Sequence, residues 1–174
     1  KHVDQSRRDL PCFVFDSDTF YFCNVLEFCK TSMQDEKIDA SLLCFETNEK
    51  DPIYSYVLCD EKDSVLDIAE KKKISNFANC GCYMFKSAEW LNEICDDYMS
   101  RWKEINDEAK EPYISLMIKE SLKKGSNIKA RIISASDFAV LGTPFQLKIF
   151  CMSHDVNTKY RFCFDLDGTL IGRR

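Results

Sequence analysis

Two pairs of aspartates, each separated by one residue, directly follow apolar stretches of the chain. Asp16 and Asp18 follow residues 12–15, and Asp165 and Asp167 follow residues 161–164. The two apolar stretches have the length and composition of short strands. Carboxylates at the carboxyl end of a strand can hold a divalent metal ion against phosphate oxygens. Both pairs are therefore candidates for phosphate chemistry, although aspartate also commonly ends strands and begins turns.

Alternating strand and helix patterns place these aspartates in an α/β protein. Apolar residues at helical spacing predict helices over 20–33, 88–104, 112–124 and 144–151. Ser87 is a suitable N-cap for the second of these helices, and Gly125 is placed to end the third. Apolar runs predict strands over 12–15, 38–45, 53–58, 65–68, 78–85, 128–133 and 161–164. The strands at 53–58 and 65–68 are expected to form a hairpin around a polar turn.

Composition excludes several classes of protein. Hydrophobic residues make up 45% of the 174 residues, which excludes a disordered chain. The formal net charge of −5 disfavours broad nucleic-acid binding, and no apolar run approaches the roughly 18 residues of a membrane span. The ten cysteines lie mostly in apolar surroundings and are expected to be reduced core thiols of a cytoplasmic protein, not zinc ligands. The chain begins at Lys1 without a methionine, and we expect it to be part of a longer protein.

Three segments that follow the first aspartate pair in a fixed order carry a family resemblance. They are Asp67-Ile68-Ala69-Glu70-Lys71, Ala78-Asn79-Cys80-Gly81-Cys82-Tyr83-Met84-Phe85 and Leu141-Gly142-Thr143-Pro144-Phe145-Gln146-Leu147. Together with Asp18-Thr19-Phe20-Tyr21, this succession resembles the sugar-1-phosphate nucleotidyltransferases. That family shows a metal-binding Asp at a strand end, a Glu-Lys pair, a Gly-x-Tyr-x-Phe strand and a late Gly-Thr-Pro-x-x-Leu turn.

The resemblance implies a fold, a reaction and a set of site residues. The fold would have three layers, a mixed and mostly parallel sheet flanked by helices as in nucleotide-diphospho-sugar transferases, incomplete at its N-terminus. The substrates would be a nucleoside triphosphate and a sugar 1-phosphate, in nucleotide-sugar and surface-polysaccharide synthesis. The implied residues face one cleft: Asp18 and Asp16 as Mg²⁺ ligands, Asp18 and Lys71 as catalytic groups, and Glu70, Lys71, Gly81 and Asn79 as substrate-binding groups.

Two departures from the family pattern concern activity. No glycine-rich, triphosphate-binding loop precedes Asp16, and Val140 stands where many members have a second metal-binding Asp, with Asp137 out of register. Such a loop supplies N–H donors and positive charge to the phosphates. We therefore expect this chain to bind sugar phosphate or nucleotide-sugar weakly and to show no turnover by itself.

The second aspartate pair belongs to a different resemblance. Residues 161–170 closely resemble the first motif of haloacid-dehalogenase-type phosphatases, in which the first Asp is the nucleophile and the second a general acid/base. Asp165 and Asp167 would take these roles. The organisation expected is a nucleotidyltransferase-like domain over 1–151, a linker over 152–160 and the start of a phosphatase-like domain over 161–174. The parent protein would then be bifunctional.

Two other functions agree with the same residues. One is a metal-dependent nucleotide-sugar glycosyltransferase, which also uses an Asp-x-Asp pair at a strand end, although the Gly142-Thr143-Pro144 turn argues against it. The other is a non-catalytic domain that keeps a sugar-nucleotide pocket. A glycine-rich loop upstream of this chain would favour the enzyme over the binding domain.

Overall fold

A six-stranded sheet with helices on both faces forms the centre of the computed structural model, which describes residues 5–105 and 111–154. The strands are β1 (Cys12–Phe15), β2 (Thr19–Tyr21), β3 (Ala40–Glu46), β4 (Ser55–Cys59), β5 (Val65–Glu70), β6 (Phe77–Phe85), β7 (Ile128–Ile133) and β8 (Phe138–Val140). The helices are α1 (Val25–Ser32), α2 (Ala88–Ser100), α3 (Trp102–Ile105), α4 (Ile114–Lys123) and α5 (Pro144–Ser153). None of these described helices has both the length and the apolar character needed to cross a membrane.

The sheet is mixed, as predicted, but the expectation that it is mostly parallel is wrong for the described strands. Its order is β5-β4-β6-β3-β7, with β1 also paired to β6. Only β3 and β7 run parallel, and the other pairings of this sheet are antiparallel. The reason is that β3 to β6 follow one another without an intervening helix, which favours antiparallel neighbours, whereas β7 joins only after α2 and α4.

Alternate residues of the strands face two different helical layers. On one face, Leu42 and Tyr83 belong to a buried cluster that packs against α2 and α4 through residues such as Trp90 and Ile118. On the other face, Leu43 and Met84 join a second cluster with α1 and with the separate β2-β8 sheet. The predicted three-layer α/β architecture is therefore confirmed.

Local signals correctly predicted two helix ends. Ser87 caps α2 by accepting a hydrogen bond from Trp90 N at 3.1 Å, and Gly125, with a φ of 88°, follows the end of α4. The helix predicted over 20–33 is wrong in its first part, because residues 19–21 form β2. This short strand finds its partner in β8, far along the chain, and α1 begins only after the Asn24 cap.

An interruption along one edge of β6 positions the candidate site. On this edge β1 pairs with residues 82–85, and β4 meets β6 only at Ala78, so residues 79–81 have no strand beside them there. On the opposite edge the register with β3 passes from Leu43 opposite Cys82 to Cys44 opposite Asn79, so Cys80 and Gly81 form a bulge. Bulges of this kind redirect the chain and often lie beside functional sites.

Candidate active site

The bulge in β6 is held by the side chain of Asn79. Its Nδ2 donates to the carbonyl oxygens of Leu43 and Cys82, both at 3.1 Å, and its Oδ1 accepts from Gly81 N at 2.8 Å. Asn79 is buried, and these bonds occupy both ends of its amide. Asn79 therefore borders the predicted site, with its polar atoms directed at the backbone of the bulge.

Gly81 brings its backbone against Asp16, the residue that directly follows β1. Asp16 N donates to Gly81 O at 2.7 Å, and Gly81 has a φ of 84°, in the left-handed region. A Cβ at position 81 would lie 2.5 Å from Asp16 Oδ2. Glycine is therefore required here both by the backbone conformation and by the close approach of the carboxylate.

Glu70 ends β5 and enters the site because the hairpin places it opposite Ser55 on β4. Its Oε2 accepts a hydrogen bond from Ser55 Oγ at 2.5 Å and another from Ser115 Oγ at 2.7 Å. The carboxylate is thus held by residues of two different elements, β4 and α4. The sequence analysis identified neither serine. Ser55 could have been found from the register of the predicted hairpin, whereas no local sequence pattern indicates that Ser115 contacts Glu70.

Lys71 follows β5 in a left-handed conformation, with a φ of 49°. Its N–H donates to Tyr54 O at 3.0 Å, and its Nζ donates to the Tyr113 hydroxyl at 3.1 Å. Nζ also lies 4.9 Å from the centre of the Tyr113 ring. The hydrogen bond to Tyr113 raises the pKa of Lys71, assisted by the charge of Glu70, so the ammonium stays protonated.

Two neighbouring cavities meet at Asp16. The first, of about 410 Å³, is bordered by Asp16, Ile53, Tyr54, Ser55, Glu70, Lys71, Asn79, Tyr83, Pro112, Tyr113, Ile114 and Ser115. The second, of about 270 Å³, is bordered by Asp16, Asp18, Thr19, Ile53, Tyr54, Asn79, Cys80, Gly81, Val140, Gly142, Thr143 and Gln146. The predicted residues therefore divide between the two cavities: Glu70 and Lys71 face the first, Asp18 and Gly81 face the second, and Asp16 and Asn79 border both.

Asp18 is placed by the small β2-β8 sheet. Thr19 pairs with Val140, and Leu141 N donates to Asp18 O at 2.6 Å, which brings the Gly142 turn against the aspartate. A Cβ at Gly142 would overlap Asp18 Oδ2. Val140, where the resemblance led us to expect a second Asp, borders the same cavity as Asp18.

Negative charge dominates these two cavities. Partial loss of solvent around its carboxylate raises the pKa of Asp16 to about 6, and the charges of Asp18 and Glu70 add to the effect. Lys71 is the one cationic side chain among the described residues that border either cavity. The arrangement therefore favours a divalent cation near Asp16 and a single anionic group near Lys71.

The second predicted pair, Asp165 and Asp167, lies outside the described residues, as does the whole of 155–174. Its phosphatase-like roles stay predictions. The predicted domain boundary falls close to the end of α5, which continues to Ser153.

Residues 1–131 match a protein family that is described as nucleotidyl transferase. Comparison with curated proteins gives no match.

Solved structures share the fold of this chain. A nucleoside-diphosphate-sugar pyrophosphorylase from Vibrio cholerae RC9 is 25% identical, with a TM-score of 0.65 over 82% of this chain and 56% of that one. A protein from Bacillus anthracis described as a glucose-1-phosphate thymidylyltransferase is 19% identical, with a TM-score of 0.62 over 90% and 60% of the two chains. The inositol-1-phosphate CTP transferase from T. maritima is 13% identical, with a TM-score of 0.62 over 92% and 60%. The chain thus spans less than two thirds of each of these structures.

Proposed function

The chain belongs to the nucleotidyl transferase family. On that premise we propose that it forms the part of a sugar-1-phosphate nucleotidyltransferase that binds the sugar phosphate. In this reaction a phosphate oxygen of the sugar 1-phosphate attacks the α-phosphorus of a nucleoside triphosphate. The new oxygen–phosphorus bond gives the nucleotide-sugar, and cleavage of the bond between the α-phosphorus and the bridging oxygen releases pyrophosphate.

The observation that carries the proposal is the position of Asp16 between two cavities of different character. One cavity holds Glu70 and Lys71, an acceptor for hydroxyl groups and a cation for phosphate. The other holds Asp18 and the backbone of Gly81. A two-substrate transfer needs its two ligands in adjacent compartments with the reacting atoms at their junction.

Lys71 would bind the phosphate of the sugar 1-phosphate as a point charge. Tyr113 holds the ammonium group in place by a hydrogen bond and by its ring, so less side-chain freedom is lost when the phosphate binds. The missing Cβ of Gly81 lets Asp16 approach the β6 backbone, so Gly81 would contribute to substrate binding by placing this carboxylate beside the ligand.

Asp16 and Asp18 fit a magnesium ion by the chemistry of their donor atoms. Mg²⁺ prefers one or two carboxylates together with phosphate oxygens and water, and Asp16 and Asp18, which border the same cavity, would supply the carboxylates. Gly81 and Gly142 let the two carboxylates come closer to the backbone than a Cβ at either position would allow. When bound, the ion would neutralise phosphate charge during the transfer.

Calorimetric titration of the chain with glucose 1-phosphate in the presence of Mg²⁺ tests the proposal. Replacing Lys71 by Met removes the charge and keeps most of the side-chain stem, and we expect the affinity to fall about tenfold or more, as for a lost charge-assisted hydrogen bond. Lys72→Met is the matched control, because Lys72 is the exposed neighbour outside both cavities. Equal loss in the two variants, or none in Lys71→Met, would contradict the role of the cleft.

A further inference from the structure

Glu70 is held by two hydroxyl groups that donate to the same carboxylate oxygen. Ser55 Oγ approaches Oε2 from β4, and Ser115 Oγ approaches it from the first turn of α4. Ser115 is 1% exposed, so water does not compete freely for its hydroxyl. Because a serine hydroxyl carries a single proton, both serine protons are committed to Oε2.

The second carboxylate oxygen of Glu70, Oε1, has no hydrogen-bond partner within residues 5–105 and 111–154. Glu70 borders the 410 Å³ cavity and also a separate cavity of about 270 Å³ lined by Lys72, Lys119 and Lys123. An ionised carboxylate only accepts hydrogen bonds, so a molecule in the 410 Å³ cavity that reaches Oε1 must supply the donor. A sugar hydroxyl is such a donor.

We propose that Ser55 and Ser115 are positioning residues that fix Glu70 as the acceptor for one particular sugar hydroxyl, and thereby set the hydroxyl specificity of this cavity. The inference rests on the proposed function and deepens it. A glutamate side chain has several rotatable bonds, so its carboxylate can select one particular hydroxyl only if other residues fix its conformation. A fixed acceptor rejects an analogue that lacks the hydroxyl, because the carboxylate is then left without its partner.

The experiment compares glucose 1-phosphate with its four monodeoxy analogues, which lack the 2-, 3-, 4- or 6-hydroxyl, by calorimetric titration in Mg²⁺. We expect the unaltered chain to bind one analogue at least about tenfold more weakly than glucose 1-phosphate. In Ser55→Ala and Ser115→Ala this ratio should fall to about two or three, because glucose 1-phosphate loses affinity while that analogue does not. A purely structural role would weaken all five ligands together.

Two control variants separate positioning from stability. Ser55→Thr keeps the hydroxyl and should keep the discrimination. Ser121→Ala removes another buried α4 serine, one that donates to Ile118 O at 2.8 Å within the helix, and should also keep it.

Discrimination that survives in both alanine variants would overturn the inference while leaving the proposed function intact. Equal binding of all four analogues by the unaltered chain would overturn it as well. If the unaltered chain bound none of the five sugar phosphates, the proposed function itself would fail.

Discussion

Replacing Gly81 by Ala tests the close approach on which the site depends. The new Cβ would lie 2.5 Å from Asp16 Oδ2, 2.7 Å from Asp16 Cγ and 2.8 Å from Asp16 Cβ. Rotation of the Asp16 side chain moves the first two atoms but not its Cβ. The backbone must therefore shift, and the Gly81–Asp16 and Gly81–Asn79 hydrogen bonds stretch with it.

The loss of stability expected for Gly81→Ala has two contributions. A non-glycine residue in the left-handed region costs about 1–2 kcal/mol. Weakening two hydrogen bonds adds roughly 1–2 kcal/mol. We expect a total near 3 kcal/mol, which for a chain of this length lowers the melting temperature by about 6–12 °C.

Gly125→Ala provides the matched control for Gly81→Ala. Gly125 has a similar φ of 88°, but a Cβ there would meet nothing within 4 Å. Gly125→Ala should therefore lose only the stability that the left-handed backbone conformation costs a non-glycine residue, about 1 kcal/mol or 2–4 °C in melting temperature. The assay is thermal and urea unfolding of both variants. Equal losses would refute the reasoning that Asp16 occupies the space of a Gly81 side chain.

Three further changes test other parts of the structure. Asp16 has a raised pKa of about 6 in the folded chain, so its ionisation destabilises the fold as pH rises from about 4 to 6. In EDTA, the stability of Asp16→Asn should equal that of the unaltered chain at pH 4 and exceed it by about 1 kcal/mol at pH 7, after allowance for solvent screening. A stability difference in urea unfolding that does not change with pH would contradict this. Asn79→Leu should lower the free energy of unfolding by roughly 2–3 kcal/mol, because it leaves buried backbone groups of the bulge without hydrogen bonds. Asn127→Leu, at an exposed position, should lower it by less than about 1 kcal/mol. Similar losses in urea unfolding of the two variants would show that Asn79 has no special role in the bulge. The predicted boundary at 152–160 implies that a chain ending at His154 melts within about 2 °C of the full chain, and a large fall in calorimetry would place part of 155–174 in the first domain.

The local sequence determined the elements and part of the site. Apolar runs and helical apolar spacing identified most described elements, and cap chemistry fixed ends such as Ser87 and Gly125. Asp16 was identified because it directly follows an apolar strand, whereas Glu70 and Lys71 were identified through the family resemblance. These features depend on interactions over a few residues, so a pattern along the chain can show them.

Tertiary structure decided which distant segments meet. Residues 19–21, Thr-Phe-Tyr, are of types enriched in strands but are too few to identify a strand by themselves. They form β2 by pairing with β8, which also places Asp18 beside the Gly142 turn. Ser115 and Tyr113 reached Glu70 and Lys71 because α4 packs over the end of β5. Such contacts depend on how whole faces of helices and sheets fit together. That fit is a property of the packed layers and leaves no periodic trace in the sequence around either partner.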